Sequence, residues 1–506
     1  MKLSKLIFLI LVIPFSFPLN AQYQKNESAE ATLEKSTLEA HLRFLAADEL
    51  MGRRTGEPGN NIAARYLAAQ FQALGIKNPA GAENYYQNVA FDAISPPKTA
   101  QLRIDDALFL QMEDLLIMKG NTPDVEAGVV FANYGWVDEA NDHNDYNKLN
   151  VKGKIVLVLP GTPDGQDPMS IFNAIEKKQR LAREQGALAL IELYRIPFPW
   201  AFFLSYFSAE SLSLAQENSD SEDQLVYGWL KEKSDGSLKA VLDGKKVKGQ
   251  LSSSGFSQKR VLSQNVIGVI EGTDPLLKEE YILLSAHYDH VGTGKNGGAP
   301  YSPQDSIFNG ARDNGMGTVA LLAAAEALAK NPPKRSVIVL AVTGEEVGLL
   351  GSQYYADHPL IPLEKTIYNL NTDGAGYNDV SYVSVVGYGR TGIDDLVTSA
   401  CNQFGLDVFP NPAPEQNLYD RSDNVSFAVK GVPAICFSPG LTEFDETVGK
   451  YYHQAADNPD SIDYAYLHKF SQAFARLARL ISDRAERPFW VSGDKYEGAG
   501  KGLYGN

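Results

Sequence analysis
The residue types best suited to chemistry begin in Tyr281–Gly292, where an apolar run, Tyr281-Ile282-Leu283-Leu284, leads into His287, Asp289 and His290. The run predicts a buried strand. Side chains two apart on a strand share a face, so His287 and Asp289 project together from its end. An imidazole beside a carboxylate suits a metal ligand whose second ring nitrogen donates to the acid; a surface pair would read the same way. Further stretches add donors of the same kind. Asp313 stands in Asn309–Gly315, at the entrance to an Ala-rich helix, where a helix cap explains it equally well. Glu345 and Glu346 follow the apolar run Ser336–Val342, at the place where an α/β sheet presents ligands or where a helix start favours acids. Asp373 follows Tyr368–Leu370, where a turn also takes Asp, and His453 follows Tyr451-Tyr452. Each is weak alone. Together they supply two imidazoles, three carboxylate ligands and a spare carboxylate, the set that two zinc ions sharing a bridging carboxylate would need.

The elements that must position these residues follow from the hydrophobic pattern. Asn265–Ile270, Tyr281–Ala286 and Ser336–Val342 read as strands, Gly317–Ala329 as an Ala/Leu-rich helix between two of them, and Ile462–Arg484 as an amphipathic helix. Residues 36–74 turn helical around a Gly/Pro-rich turn at 52–59. Between 106 and 260 the chain carries strand-like pieces, Gly128–Asn133 and Lys154–Leu159, and a helical one, Ile171–Gln185, with no ligand cluster; His143 there reads as structural or superficial. The expected architecture is α/β: a central mixed, mostly parallel sheet flanked by helices, with an inserted smaller β-rich domain. A chain of 506 residues exceeds one ordinary core. The boundaries expected are a signal peptide at 1–21, the first part of the main domain at 36–105, the insert at 106–260, the main domain again at 261–485 and a tail at 486–506, Gly-rich and loosely fixed from 492.

A formal net charge of -16 argues against nucleic acid or an anionic membrane as the main partner. Cys401 and Cys436 leave one disulfide or two buried thiols open, and without a C-x-x-C a metal must be held by His and carboxylates. Lys2 and Lys5, the apolar run Leu6–Leu19 and Ala21 predict a secretory signal peptide cleaved after about Ala21. Export to the periplasm or beyond, with no stable membrane insertion, is the expectation; the run is short and broken by Pro14 and Pro18.

The set SAHYDHVG (285–292), NGARDNGMG (309–317), TGEEVGLLGS (343–352), NTDGAG (371–376) and YYH (451–453) resembles the co-catalytic zinc exopeptidases of the secreted bacterial aminopeptidase and glutamate carboxypeptidase family. The likeness covers about residues 36–100 and 260–485. The interval between resembles the protease-associated domain inserted in many members, at Gly135, Asn144-Asp145-Tyr146, Val151–Val156 and Gly186-Ala187. The resemblance implies the zinc exopeptidase fold and two zinc ions per chain. His287 and Asp373 would be terminal ligands of one, Glu346 and His453 of the other, with Asp313 bridging and a cis peptide following it. Glu345 would be the general base, Asp289 the partner of His287 and Tyr452 an oxyanion donor. Arg312 stands where many members carry an acid, outside the ligand positions. The activity implied is that of an aminopeptidase, hydrolysing N-terminal residues of a peptide substrate through a water between the zinc ions. The alternatives are a glutamate carboxypeptidase-type enzyme, with Arg421 receiving the substrate carboxylate, a glutaminyl cyclase-like enzyme with one zinc, and a metal-free binding protein.

Overall fold
The computed structural model describes residues 28–215 and 225–505, so the expected signal peptide lies outside the described residues. The chain is organised around a nine-stranded sheet. From edge to edge its strands are Ser211–Leu214, Tyr86–Ser95, Ser257–Ile270, Ser336–Val342, Tyr281–His287, Thr366–Asn371, Ala434–Pro439, Tyr382–Val386 and Asp407–Pro410. The sheet is mixed. Its parallel pairings join Ser336–Val342, Tyr281–His287, Thr366–Asn371 and Ala434–Pro439 at the centre, with one more at the far edge. The pairings outside that centre are otherwise antiparallel.

The central strands read as unbroken apolar runs because helices cover both faces. All of Ser336–Val342 is buried. On one face Met316–Lys330 and Tyr464–Asp483 pack together with Lys35–Leu45 and Pro58–Ala73 over Leu284, Val339 and Leu370. The longest of these helices starts where Asp463 accepts hydrogen bonds from the amides of Ala465 and Tyr466, an N-cap. On the other face Tyr355 and Phe427 close over Leu283 and Ile338.

A second, eight-stranded sheet is drawn from residues 99–254. One strand within that interval, Ser211–Leu214, leaves it and pairs with Tyr86–Ser95 at the edge of the main sheet. Inside the second sheet's core lies a charged pair, Lys178 Nζ 2.8 Å from Glu192 Oε2, both side chains fully buried. Lys178 also donates to the Leu159 carbonyl, and Tyr227 donates to the other Glu192 oxygen.

The C-terminal segment differs from expectation. Residues 492–506 were expected to be loosely fixed, yet a helix spans Glu497–Tyr504. Glycines lower its intrinsic stability, but the Tyr504 hydroxyl donates to the Thr366 carbonyl, and Gly500 lets the helix close on Trp490, where a Cβ would lie 2.7 Å from the indole. Cys401 and Cys436 are both buried free thiols.

Removing one member of a buried ion pair strands the other charge, at a cost of about 3–5 kcal/mol, whereas replacing both with apolar groups is close to neutral. Lys178→Met should therefore lower the urea midpoint sharply, and Lys178→Met with Glu192→Leu should restore most of it. A single variant as stable as wild type would contradict the burial of this pair.

Candidate active site
The parallel strands end level. His287 pairs with Val342, and Ser285 with Asn371, so His287, Glu345-Glu346 and Asp373 emerge within a few residues of the carboxyl ends of the central strands. Gly344, at φ +74, turns the chain there. Asp313 sits in the tight loop Ala311–Gly315 ahead of Met316–Lys330, and the peptide between Asp313 and Asn314 is cis. His453 comes from a turn, at φ +51.

These loops bring the side chains into two groups that meet at Asp313. His287 Nε2 lies 3.0 Å from Asp373 Oδ1 and 3.4 Å from Asp313 Oδ1. His453 Nε2 lies 3.1 Å from Asp313 Oδ2 and 3.1 Å from Glu346 Oε2. Asp313 thus offers one oxygen to each group. Tetrahedral ligand atoms about 2.0–2.2 Å from a zinc ion stand roughly 3.3–3.6 Å from one another, and the observed separations of 3.0–3.4 Å come close to that spacing. Glu345 stands apart, its Oε2 4.0 Å from His287 Nε2.

The electrostatics ask for positive charge. Burial alone would lower the pKa of His453, but Glu346 and Asp313 override it and push it up to about 11. His287 is likewise raised well above its usual value against the effect of burial, by Asp373 and Glu345. The raised proton affinity of both imidazoles reflects the negative charge around them, which a cation in each group would offset. Glu345 is raised well above the carboxylate range, first by burial and then by the charges of Asp373 and Glu346.

Asp313, Glu345, Glu346, Asp373, Arg421, Tyr452 and His453 line one open cleft of about 600 Å³, with Val386, Leu418, Leu441 and Phe444 as apolar walls. His287 and Asp289 are buried beside it. Arg421 is exposed and makes no ion pair among the described residues. Arg312 turns away from the cleft, its guanidinium donating to the Ser461 carbonyl and stacking on Tyr377 and Tyr451. His143 lies 3.2 Å from Asp145, away from every candidate metal group.

Asp289 stands at ion-pair distance from His287 and also does more. His287 Nδ1 is 3.8 Å from Asp289 Oδ1, beyond hydrogen-bond reach, and 3.3 Å from the Asp289 carbonyl. The Asp289 carboxylate instead accepts from the Thr55 hydroxyl at 2.9 Å and from the amides of Glu345 and Glu346 at 3.3 and 3.4 Å. It pins the loop that carries both glutamates. Other supports escaped the sequence reading. Arg53, buried, donates to the carbonyls of Tyr288, Asn309 and Gly310 and so ties two of the loops together. Asp457 accepts from the amides of Arg312 and Asp313. Ser422 donates to Asp373 Oδ2 at 2.6 Å and is itself held by Asn371. His290, visible in the sequence but without a role there, lies 2.7 Å from Glu346 Oε1. The Gly52–Thr55 stretch reads as an ordinary turn; a paired Arg next to Thr was the only signal it carried.

With this geometry in place, comparison with known proteins is direct. Residues 265–478 match peptidase family M28. That matched stretch contains His287, Asp313, Glu345, Glu346, Asp373 and His453. Over 219 residues the chain is 34% identical to the vacuolar membrane protease of Saccharomyces cerevisiae, which covers 41% of this chain and 20% of that protein. It is 28% identical over 216 residues to aminopeptidase YwaD of Bacillus subtilis, with 42% of each covered. The chain thus spans less than half the length of these curated relatives. The aminopeptidase from Aneurinibacillus sp. strain AM-1 shares the fold, with a TM-score of 0.59 and 20% identity over 92% of this chain and 97% of that one.

Thr55→Val keeps shape but removes the hydroxyl that Asp289 accepts from. Leaving a buried carboxylate short of a donor costs about 1–3 kcal/mol, which should surface as a lower melting temperature and a weakened hold on the Glu345-Glu346 loop. An unchanged melting curve would mean that Asp289 does not depend on Thr55.

Proposed function
We propose that this chain is a zinc-dependent exopeptidase, an aminopeptidase that removes N-terminal residues from peptides. The observation that carries the reading is Asp313, with one oxygen turned to His287 and Asp373 and the other to His453 and Glu346. In this reading those residues hold two zinc ions per chain, which supply Lewis-acid polarisation of the scissile carbonyl and a lowered pKa for the attacking water. The match to peptidase family M28 and the likeness to aminopeptidase YwaD support it.

The chain's own residues do the rest. Glu345 is the carboxylate outside the tight groups, and burial raises its proton affinity, so its ionised form is suited to take a proton from water and pass it to the leaving amine. The Tyr452 hydroxyl, on the same cleft, is kept protonated by burial and by nearby Asp313, and can donate to a developing oxyanion. Asp289, through the amides of Glu345 and Glu346, keeps base and ligand in register. The carboxylates of the cleft floor suit a free α-ammonium group, and the apolar walls suit the first side chain. A carboxypeptidase remains the second reading, because Arg421 is a cation on the same cleft without an ion-pair partner among the described residues. The strand-rich interval 106–260 is read as a protease-associated domain, and the basic and apolar start of the chain as an export signal. No helix among the described residues is long and apolar enough to cross a membrane.

Glu345→Gln should retain both metals and lose about 10²–10⁴ in kcat, since an amide cannot carry the proton, while Asp313→Ala should lose metal. Zinc analysis beside turnover separates the two; loss of zinc in Glu345→Gln, or activity near that of wild type, would remove Glu345 as base.

Which end of the peptide is read is settled by paired substrates, one with a free N-terminus and one acetylated there with a free C-terminus. Only the first should be cleaved. Cleavage of the acetylated peptide from its C-terminus, abolished by Arg421→Ala, would promote the carboxypeptidase reading.

A further inference from the structure
One buried histidine of the site has no part in the reading above. His290 is 1% exposed and follows the His287 strand by three residues. Its Nδ1 lies 2.7 Å from Glu346 Oε1, while the opposite oxygen, Oε2, is the one 3.1 Å from His453 Nε2. The two oxygens of Glu346 are therefore divided between two histidines. His290 Nε2 is buried and has no hydrogen-bond partner among the described residues. A carboxylate oxygen at that distance can only accept, so Nδ1–H donates to Glu346.

The ring is also fixed in place from the other side. A Cβ built on Gly310 would lie 2.5 Å from His290 Cγ, so the backbone of the Asp313 loop rests directly on the imidazole and only glycine fits. The backbone amide of His290 donates to the Arg53 carbonyl, and its ring meets that of His453 edge-on at 5.5 Å between centroids. His290 thus touches the loops that carry Asp313, Glu346 and His453, and its own loop carries His287.

We propose that His290 is a positioning residue: it holds Glu346 by Oε1 so that Oε2 faces the metal position shared with His453 and Asp313. This rests on the zinc reading. His290, Asp313 and Glu346 are also close enough to form a metal group by themselves, so the test must separate a hydrogen-bond donor from a direct ligand. The amide nitrogen of Asn reaches the place of Nδ1, whereas that of Gln reaches the place of Nε2.

The experiment measures zinc affinity of the purified full chain by competition with a chromophoric chelator, together with melting of the metal-free protein. Loss of a residue that orients a metal ligand weakens binding by about 10- to 100-fold. His290→Gln and His290→Ala should show that loss at one of two zinc positions, and His290→Asn should bind within about threefold of wild type, with metal-free melting alike in Asn and Gln variants. If His290→Ala does not fold, the Asn and Gln variants decide. The proposal is overturned if Asn binds as weakly as Gln, the result expected of a direct ligand, or if all variants bind like wild type. Wild-type protein that takes up no zinc would overturn the zinc reading, and this inference with it; wild-type protein with two zinc ions and insensitive variants would overturn this inference alone.

Discussion
Carboxylates crowded at the carboxyl ends of the central strands, with little water to screen them, are the constraint on which the rest of this structure turns. Asp289, Asp313, Asp423 and Asp457 are all at most 5% exposed, and Glu345, Glu346 and Asp373 stand beside them. Burying unpaired anions costs several kcal/mol each. The fold answers most of them with fixed donors: amides and Thr55 for Asp289, the Arg312 and Asp313 amides for Asp457, Ser422 for Asp373, histidines for Asp313 and Glu346. Burial pushes the pKa of Asp423 up to about 7, against a hydrogen bond from Ser352. Glu345 is raised for the same first reason. The site thus sorts its acids by environment. Asp313 and Glu346, tied to histidines, are held below the usual carboxylate range against burial, while Glu345 and Asp423 are raised by it, the separation that acid–base chemistry needs.

The arrangement of the central sheet explains why so much of the site could be read from sequence. A parallel strand buried on both faces is an unbroken apolar run, and its ligands come at its carboxyl end, so His287, Glu345-Glu346 and Asp373 announce themselves by following Tyr281–Ala286, Ser336–Val342 and Tyr368–Leu370. The supports are different. Arg53 works through its guanidinium on backbone carbonyls, and Asp289 through backbone amides, and a contact to backbone leaves no complementary residue type in the sequence. The spacing of His287 and Asp289 suggested a direct pair. The carboxylate lies 3.8 Å from His287 but accepts a hydrogen bond from Thr55, more than two hundred residues earlier in the chain, a partner that no local pattern announces. The helix Glu497–Tyr504 was hidden for a related reason: its glycines speak for a loose end, and what holds it are the bond from Tyr504 to Thr366 and the close packing of Gly500 on Trp490.

The strand-rich interval bears on the site more closely than its lack of metal donors suggests. None of its residues belongs to a candidate metal group among the described residues. Yet Ser211–Leu214 supplies the edge strand of the main sheet, covering Tyr86–Ser95 in register from Phe91 opposite Leu214 to Ile94 opposite Ser211. Leu212 packs with Val89 and Phe91 in a cluster that Val347 and Leu350, just after the two glutamates, complete. Glu210, at the start of that strand, accepts from Arg54 and from Ser95. Arg54 in turn lies between Arg53, which ties the ligand loops, and Thr55, which holds Asp289. Without this interval, an edge strand would lose its cover, and the loops behind Glu345 and Asp289 would lose an apolar wall and an ion pair. The interval is therefore part of what keeps base and ligands in place, and any role in admitting substrate is built on an element that the site already needs.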